Sequence, residues 1–287
     1  MPFTTTTPFP LYLREDGPAS APRLLLLHGG PGAHHDYLYP QMLALAASHH
    51  VFSYDQRGGG QSKTDSPEPI TWRTQVDDLG CVVRELGMVP PTVTGPTIVG
   101  YSWGALLAML YAVQSTVDPS LVPPARLVLV SPAPITRGWR DEFEQSLAER
   151  GRSAVVQQLR YELAASGLRE TDMAAYRQRS FELSVAGYFA DPTRAAALTP
   201  FRVTGKVQQS VWQSLGQYDL TESLHAVRVP TLVVHGRQDP IPLASAEAAA
   251  EALGGEMVVL EDCGHVPYVE SPTQLFRAID RFLQHRA

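Results

Sequence analysis

The sequence predicts an α/β protein: a mostly parallel, doubly wound sheet with an inserted helical cap. Three observations carry that expectation. Leu24-Leu25-Leu26-Leu27 and Leu127-Val128-Leu129-Val130 are short apolar runs without polar alternation, as in strands covered on both faces. Such runs alternate with segments of helical periodicity, the rhythm of a parallel sheet whose connections cross its faces. From about Gly138 to Leu220 the rhythm stops, and helical segments rich in Glu, Gln, Arg and Ala take its place.

Taken in order, residues 3–13 are expected to form a short edge hairpin. Arg23 to Leu27 reads as a central strand ended by the glycine-rich turn His28-Gly29-Gly30-Pro31-Gly32. A second short strand, Val51 to Tyr54, runs into the loop Asp55 to Ser62. Trp72, Val76, Leu79, Val83 and Leu86 recur at spacings of three and four, which predicts an amphipathic helix. The β-branched run Ile98-Val99 ends in Gly100-Tyr101-Ser102-Trp103-Gly104, and an apolar helix from Ala105 to Val113 follows at once. A strand at Leu127 to Val130 closes the first half. After the helical insertion, Thr231 to Val234 and Met257 to Leu260 are strands flanking a helix from Ala244 to Leu253. Ser271-Pro272 starts the last helix, with Ser271 as N-cap and Gln274 completing a capping box. The expected division is a core of residues 1–133 and 222–287, with a cap of residues 134–221.

Composition narrows the function. The chain has 287 residues, a formal net charge of -6 and no basic cluster, which excludes nucleic acid and anionic membrane surfaces as expected partners. There is no signal-like N-terminus and no apolar run long enough to span a bilayer. Two cysteines, Cys81 and Cys263, lie far apart without metal-ligand spacing. No disulfide framework and no metal site are expected, and a reducing cytoplasm is the expected compartment.

The tight turn at Ser102 gives the chemistry its starting point. A serine hydroxyl becomes a nucleophile when a base accepts its proton and a carboxylate orients that base. In a doubly wound sheet those partners belong at the C-terminal ends of later strands. Two strands follow the cap; one is succeeded by Asp239, the other by His265. The order Ser102, Asp239, His265 is therefore the expected catalytic set. Asp262 competes with Asp239 but sits three residues from His265 and is assigned to the turn. His235 is assigned to packing or hydrogen bonding, and Cys263 to an inert buried thiol. For the oxyanion, the amide after the nucleophile (Trp103) and that of Gly30 are the expected donors, because Pro31 has no N–H. His28 is expected to order its loop.

Together, His28 to Gly32, Asp55 to Ser62, Gly100 to Gly104, Gly236-Arg237-Gln238-Asp239 and Gly264-His265 resemble the proline iminopeptidase family. These are serine aminopeptidases of the α/β-hydrolase fold, related to tricorn-interacting aminopeptidase. His35-Asp36-Tyr37-Leu38 is also similar to that branch. The resemblance covers residues 23–133 and 225–287 and assigns Ser102, Asp239 and His265 as the triad, with Gly30 and Trp103 as the oxyanion hole. It implies release of an N-terminal proline or small apolar residue from short peptides, without a cofactor. It also makes Asp55 and Arg57 pins of their turn.

Departures bear on the substrate. Gly59 stands where the family often has Cys, and Tyr101 where a smaller residue is common. Aminopeptidases of this type bind the free amine with acidic residues in the cap and beside the catalytic Asp; here Pro240 follows Asp239. Glu142, Glu144, Glu162, Glu182 and Asp191 are the cap candidates. Glu182, among Phe181, Leu183 and Val185, is the expected substrate-binding acid. A carboxylesterase of the same fold is the alternative, and a non-catalytic binding protein a third reading.

Overall fold

The computed structural model describes residues 2–90 and 95–284. Among these residues, seven strands form one sheet: β1 (Leu13–Asp16), β2 (Arg23–Leu27), β3 (His50–Tyr54), β4 (Thr97–Tyr101), β5 (Arg126–Val130), β6 (Thr231–Gly236) and β7 (Glu256–Leu260). Their spatial order is β1-β3-β2-β4-β5-β6-β7, and only β1 runs antiparallel to its neighbour. The expected hairpin over residues 3–13 is reduced to a single antiparallel bridge, Phe3 to Tyr12. Pro2, Pro8 and Pro10 have no N–H to give a ladder, so regular pairing starts only at Leu13.

Alternate leucines of β2 explain the unbroken apolar run. Leu25 and Leu27 enter the core on one face, with Leu79, Val83 and Leu106; Leu24 and Leu26 enter the core on the other, with Leu38, Met42 and Ile279. Helices α1 (Trp72–Glu85) and α2 (Trp103–Ser115) supply much of the first layer. Thr71 starts α1 through a reciprocal capping box with Thr74.

The insertion is helical throughout: α3 (Arg137–Arg150), α4 (Ala154–Ala165), α5 (Leu168–Thr171), α6 (Met173–Val185) and α7 (Gly205–Leu215), with short 3-10 turns between α6 and α7. Its two ends meet at an antiparallel bridge between Thr136 and Asp219. Hydrogen bonds from Arg137 N to Tyr218 O (2.8 Å) and from Leu220 N to Ile135 O (3.0 Å) flank that bridge. The chain then returns through α8 (Thr221–Leu224), α9 (Leu243–Leu253), α10 (Pro267–Glu270) and α11 (Pro272–Gln284).

From β2 the chain moves outward to β3, then returns to the other side of β2 as β4. This reversal opens a crevice at the C-terminal ends of β2 and β4, where an open α/β sheet receives its ligand. The glycine turn after β2 and Ser102 after β4 both lie there.

Candidate active site

Ser102 sits between the last residue of β4 and the first of α2, with φ 53° and ψ -116°. Positive φ is strained for a residue with a Cβ, and the neighbours show what permits it. A Cβ on Gly100 would lie 2.5 Å from the Gly104 carbonyl oxygen, and one on Gly104 would strike the Leu27 carbonyl. The two glycines let strand and helix close around the serine. Ser102 N donates to Val130 O at 2.9 Å, and its carbonyl accepts from Ala105, Leu106 and Ala133. The hydroxyl is thereby left to face the cavity.

The Ser102 Oγ lies 3.0 Å from His265 Nε2, and His265 Nδ1 lies 2.8 Å from Asp239 Oδ2. The other carboxylate oxygen of Asp239 accepts the Ile241 N–H at 2.8 Å. Burial pushes the Asp239 carboxyl up, but His265 and His235 beside it, with these hydrogen bonds, outweigh burial and hold it below the usual carboxylate range. Asp262 is exposed on the turn with φ 51° and has no such contact. An imidazole between an ionised carboxylate and a hydroxyl can take the hydroxyl proton, with the resulting charge offset by the carboxylate.

The loops carrying Asp239 and His265 are stitched together. Gln238 N donates to Cys263 O, and Cys263 N donates to the Gln238 side chain at 3.0 Å. Tyr101 Oη donates to His265 O at 3.1 Å, and His265 N donates to Tyr188 O of the cap at 2.7 Å. Burial raises the Cys263 thiol to about 12. It stays protonated at neutral pH.

Across the crevice, Gly30 (φ 62°) and Trp103 line the same cavity as Ser102. Among the described residues neither backbone N–H has a protein acceptor. Trp103 is the first residue of α2, where helical N–H groups are unpaired by construction and the dipole favours negative charge. The Gly30 turn is fixed by its neighbours: Gly29 N donates to Tyr37 Oη at 2.7 Å, and His28 is wholly buried. Gln56 N–H donates to His28 Nε2 at 3.1 Å, so Nδ1 carries the proton, 2.9 Å from Gly29 O. Burial lowers the His28 pKa to about 4, and this ring orders the loop as a neutral group. Asp55 binds the His35 N–H and the Gln61 N–H, while Arg57 pairs with Asp78 on α1. Both residues hold their turn and neither lines the cavity.

The cavity has a volume of about 140 Å³ and walls of Tyr37, Phe143, Tyr188, Phe201 and Trp212 around Ser102 and His265. Among the described residues no Asp, Glu, Lys or Arg lines it. Glu182, the acid expected to bind substrate, is not among the lining residues. That residue is buried, but its carboxylate accepts from Arg179 (2.6 Å) and Gln178 (3.0 Å) and faces a separate crevice with Leu159 and Pro192. Phe181 and Val185 share a stripe of α6 at i, i+4, whereas Glu182 stands about 100° further round the helix. Of the other cap acids, Glu142, Glu144 and Glu162 are exposed, and Asp191 caps a turn through the Thr193 N–H.

Three side chains important to this geometry were not evident as such in the sequence. Tyr101 holds the His265 carbonyl. Gln56 bridges the Trp103 indole (2.9 Å) and the His28 carbonyl (2.9 Å). Buried Glu270 accepts from Gly264 N (2.8 Å) beside His265 and from Ala190 N (2.7 Å) of the cap. Gln56 lies inside a glycine-rich motif, which was its only signal; Glu270 lies five residues beyond His265 with none.

The family model of the alpha/beta hydrolase family matches residues 24–279. The chain belongs to that family. This hydrolase is 26% identical over 278 residues to a proline iminopeptidase of Lactobacillus crispatus, covering 91% of this chain and 90% of the relative. It is 26% identical over 281 residues to a proline iminopeptidase of Pestalotiopsis fici, covering 96% of each. The solved proline iminopeptidase of Mycobacterium smegmatis shares the hydrolase's fold with a TM-score of 0.68 at 21% identity, covering 98% and 96% of the two chains. An enol-lactonase from Burkholderia xenovorans superposes with a TM-score of 0.65 at 20% identity, covering 99% of this chain and all of that one. Among the hydrolase's described residues, no helix is long and apolar enough to cross a membrane, and no group of three metal-ligating side chains is gathered.

Proposed function

We propose that this hydrolase cleaves acyl substrates whose reacting end is uncharged, through an acyl-enzyme on Ser102. His265 takes the serine proton as Ser102 attacks the carbonyl, then gives it to the leaving group. Water, activated by the same imidazole, releases the acid. Asp239 holds the imidazole and offsets its charge, and the Gly30 and Trp103 N–H groups receive the oxyanion. The reading of the acyl group rests on one observation: the cavity around Ser102 is apolar and has no charged side chain among the described residues. An ammonium buried there without a counter-charge would cost several kcal/mol, roughly the penalty for any unpaired buried ion. An ester, or an amide bearing no ammonium at the site, avoids that cost.

A second reading is an aminopeptidase of the proline iminopeptidase type, supported by relatives of that name along nearly the whole chain. The two readings differ in the state of the substrate's amine. A panel of prolyl and alanyl arylamides, their N-blocked forms and matched acyl esters separates them. The uncharged reading expects N-blocked or simple acyl substrates to be turned over at least as well as free amines. Exclusive turnover of free-amine arylamides would reverse the order of the two readings.

A further inference from the structure

Phe201 borders two spaces: the cavity at Ser102, and an open crevice of about 500 Å³ lined by α6 and the segment Pro200-Phe201-Arg202. That crevice differs in chemistry from the cavity behind it. Arg177, Arg202 and His34 border it, together with Gln178 and Phe181. The nearby Arg179 is neutralised by Glu182 at 2.6 Å. Among the described residues, Arg177 and Arg202 have no ion pair, and no carboxylate borders the crevice. The exposed Asp36 is 3.5 Å from His34 Nδ1 and 3.1 Å from the His35 ring, which accounts for that acid. Two uncompensated guanidinium groups in one concavity are notable on a chain whose net charge is -6.

The crevice and the cavity lie along one face of α6. Arg177, Phe181 and Val185 follow one another at i, i+4, i+8 on α6, with Arg177 at the crevice and Val185 on the cavity. Eight residues of α-helix span about 12 Å. His34 belongs to the same loop as Gly30, which faces the cavity.

We propose that the crevice bounded by Arg177 and Arg202 is a substrate subsite for a carboxylate or phosphate at the end of the substrate remote from the reacting carbonyl. This deepens the acyl-hydrolase reading and rests on it: the neutral cavity takes the reacting end, and the cationic crevice takes a remote anion. Guanidinium groups suit both anions, because their planar N–H pairs match two oxygens at once.

The test uses esters matched in length, ending in a methyl group, a carboxylate or a phosphate, with the terminus on either the acyl or the alcohol part. The expected result is a kcat/KM about tenfold or more higher for an anionic ester than for its neutral counterpart, carried by KM and weakened by added salt. The doubly substituted Arg177→Gln, Arg202→Gln protein removes this preference while neutral-ester turnover stays within about twofold, since both side chains are exposed. Comparison of the two termini says which anion the site takes. Equal rates for neutral and anionic esters in the wild type, or equal losses for both in the variant, overturn the proposal. Turnover of the neutral ester alone reports on Ser102. Should no ester react, calorimetric titration of Ser102→Ala with amide analogues of the same esters reads the crevice without chemistry. Anion-dependent binding lost with the two arginines supports the subsite; its absence overturns it.

Discussion

The core and the cap of this hydrolase meet at one cavity but are built by different rules. In the core, ten of the thirteen residues of α2 are buried, and each residue proposed for the reaction lies within about five residues of the C-terminal end of a strand. In the cap, α3 buries no residue fully and α4 buries only Val156. The core therefore fixes atoms to within hydrogen-bond distance, as in the 2.8 Å and 3.0 Å contacts of His265. The cap supplies walls and charge at the rim. Reaction and selectivity are separable on this account, and substitutions in the two regions should differ in kind.

The largest contrast is expected from Asp239→Asn. Its geometry can persist, but the imidazole loses its preferred tautomer and its counter-charge, so kcat should fall by about 10³- to 10⁴-fold with little change in KM. Steady-state kinetics alongside circular dichroism checks it. Retention of wild-type kcat would remove Asp239 from the reaction.

Glu270 sits on the seam between the two regions. Replacing it with Ala leaves the buried Gly264 N–H and the partly buried Ala190 N–H without an acceptor. A stability loss of about 4 kcal/mol is expected, read as a lower denaturation midpoint, with kcat reduced because the Gly264 bond adjoins His265. A variant with unchanged stability would mean that core and cap are joined without this carboxylate.

Beside the Gly29-Gly30 turn, His28 should give the core a pH signature of its own. Its folded-state pKa of about 4 lies below the unfolded value near 6.5. Stability from the neutral ring is fully present above pH 6.5 and declines as pH falls toward 4, because the unfolded chain takes up the proton first. The decline amounts to about 3 kcal/mol. Denaturant melts across that window check it, and His28→Gln should flatten the curve.

The smallest effect is expected in the cap. Glu182→Gln breaks a pair with a half-exposed arginine outside the cavity, so kcat/KM should stay within about twofold and stability within about 1 kcal/mol. Loss of free-amine substrates alone in this variant would return Glu182 to substrate recognition.

The same division governs what the sequence made legible. The strand runs, and Ser102, Asp239 and His265 as candidates beyond them, could be read because the core strands are short unbroken apolar runs followed by turn-rich loops. The 3-10 turns over residues 35–47 and the single turn of α10 are too short to leave a period. In the cap, helices were legible but their faces were not. Arg177 and Glu182 both lie on α6 among mixed neighbours, and only packing shows that the arginine borders an open crevice while the glutamate is tied to Arg179. Glu270 shows the same limit inside the core, since its acceptor role depends on a cap backbone 80 residues away.

The central claim is that Ser102 carries the acyl group between attack and release. Brief reaction with an activated acyl ester, acid quenching and peptide mass spectrometry tests it directly. The account predicts one acyl group on the peptide containing Ser102, formed in a rapid burst and absent from Ser102→Ala. Turnover without any adduct, or an adduct that persists in Ser102→Ala, would contradict it.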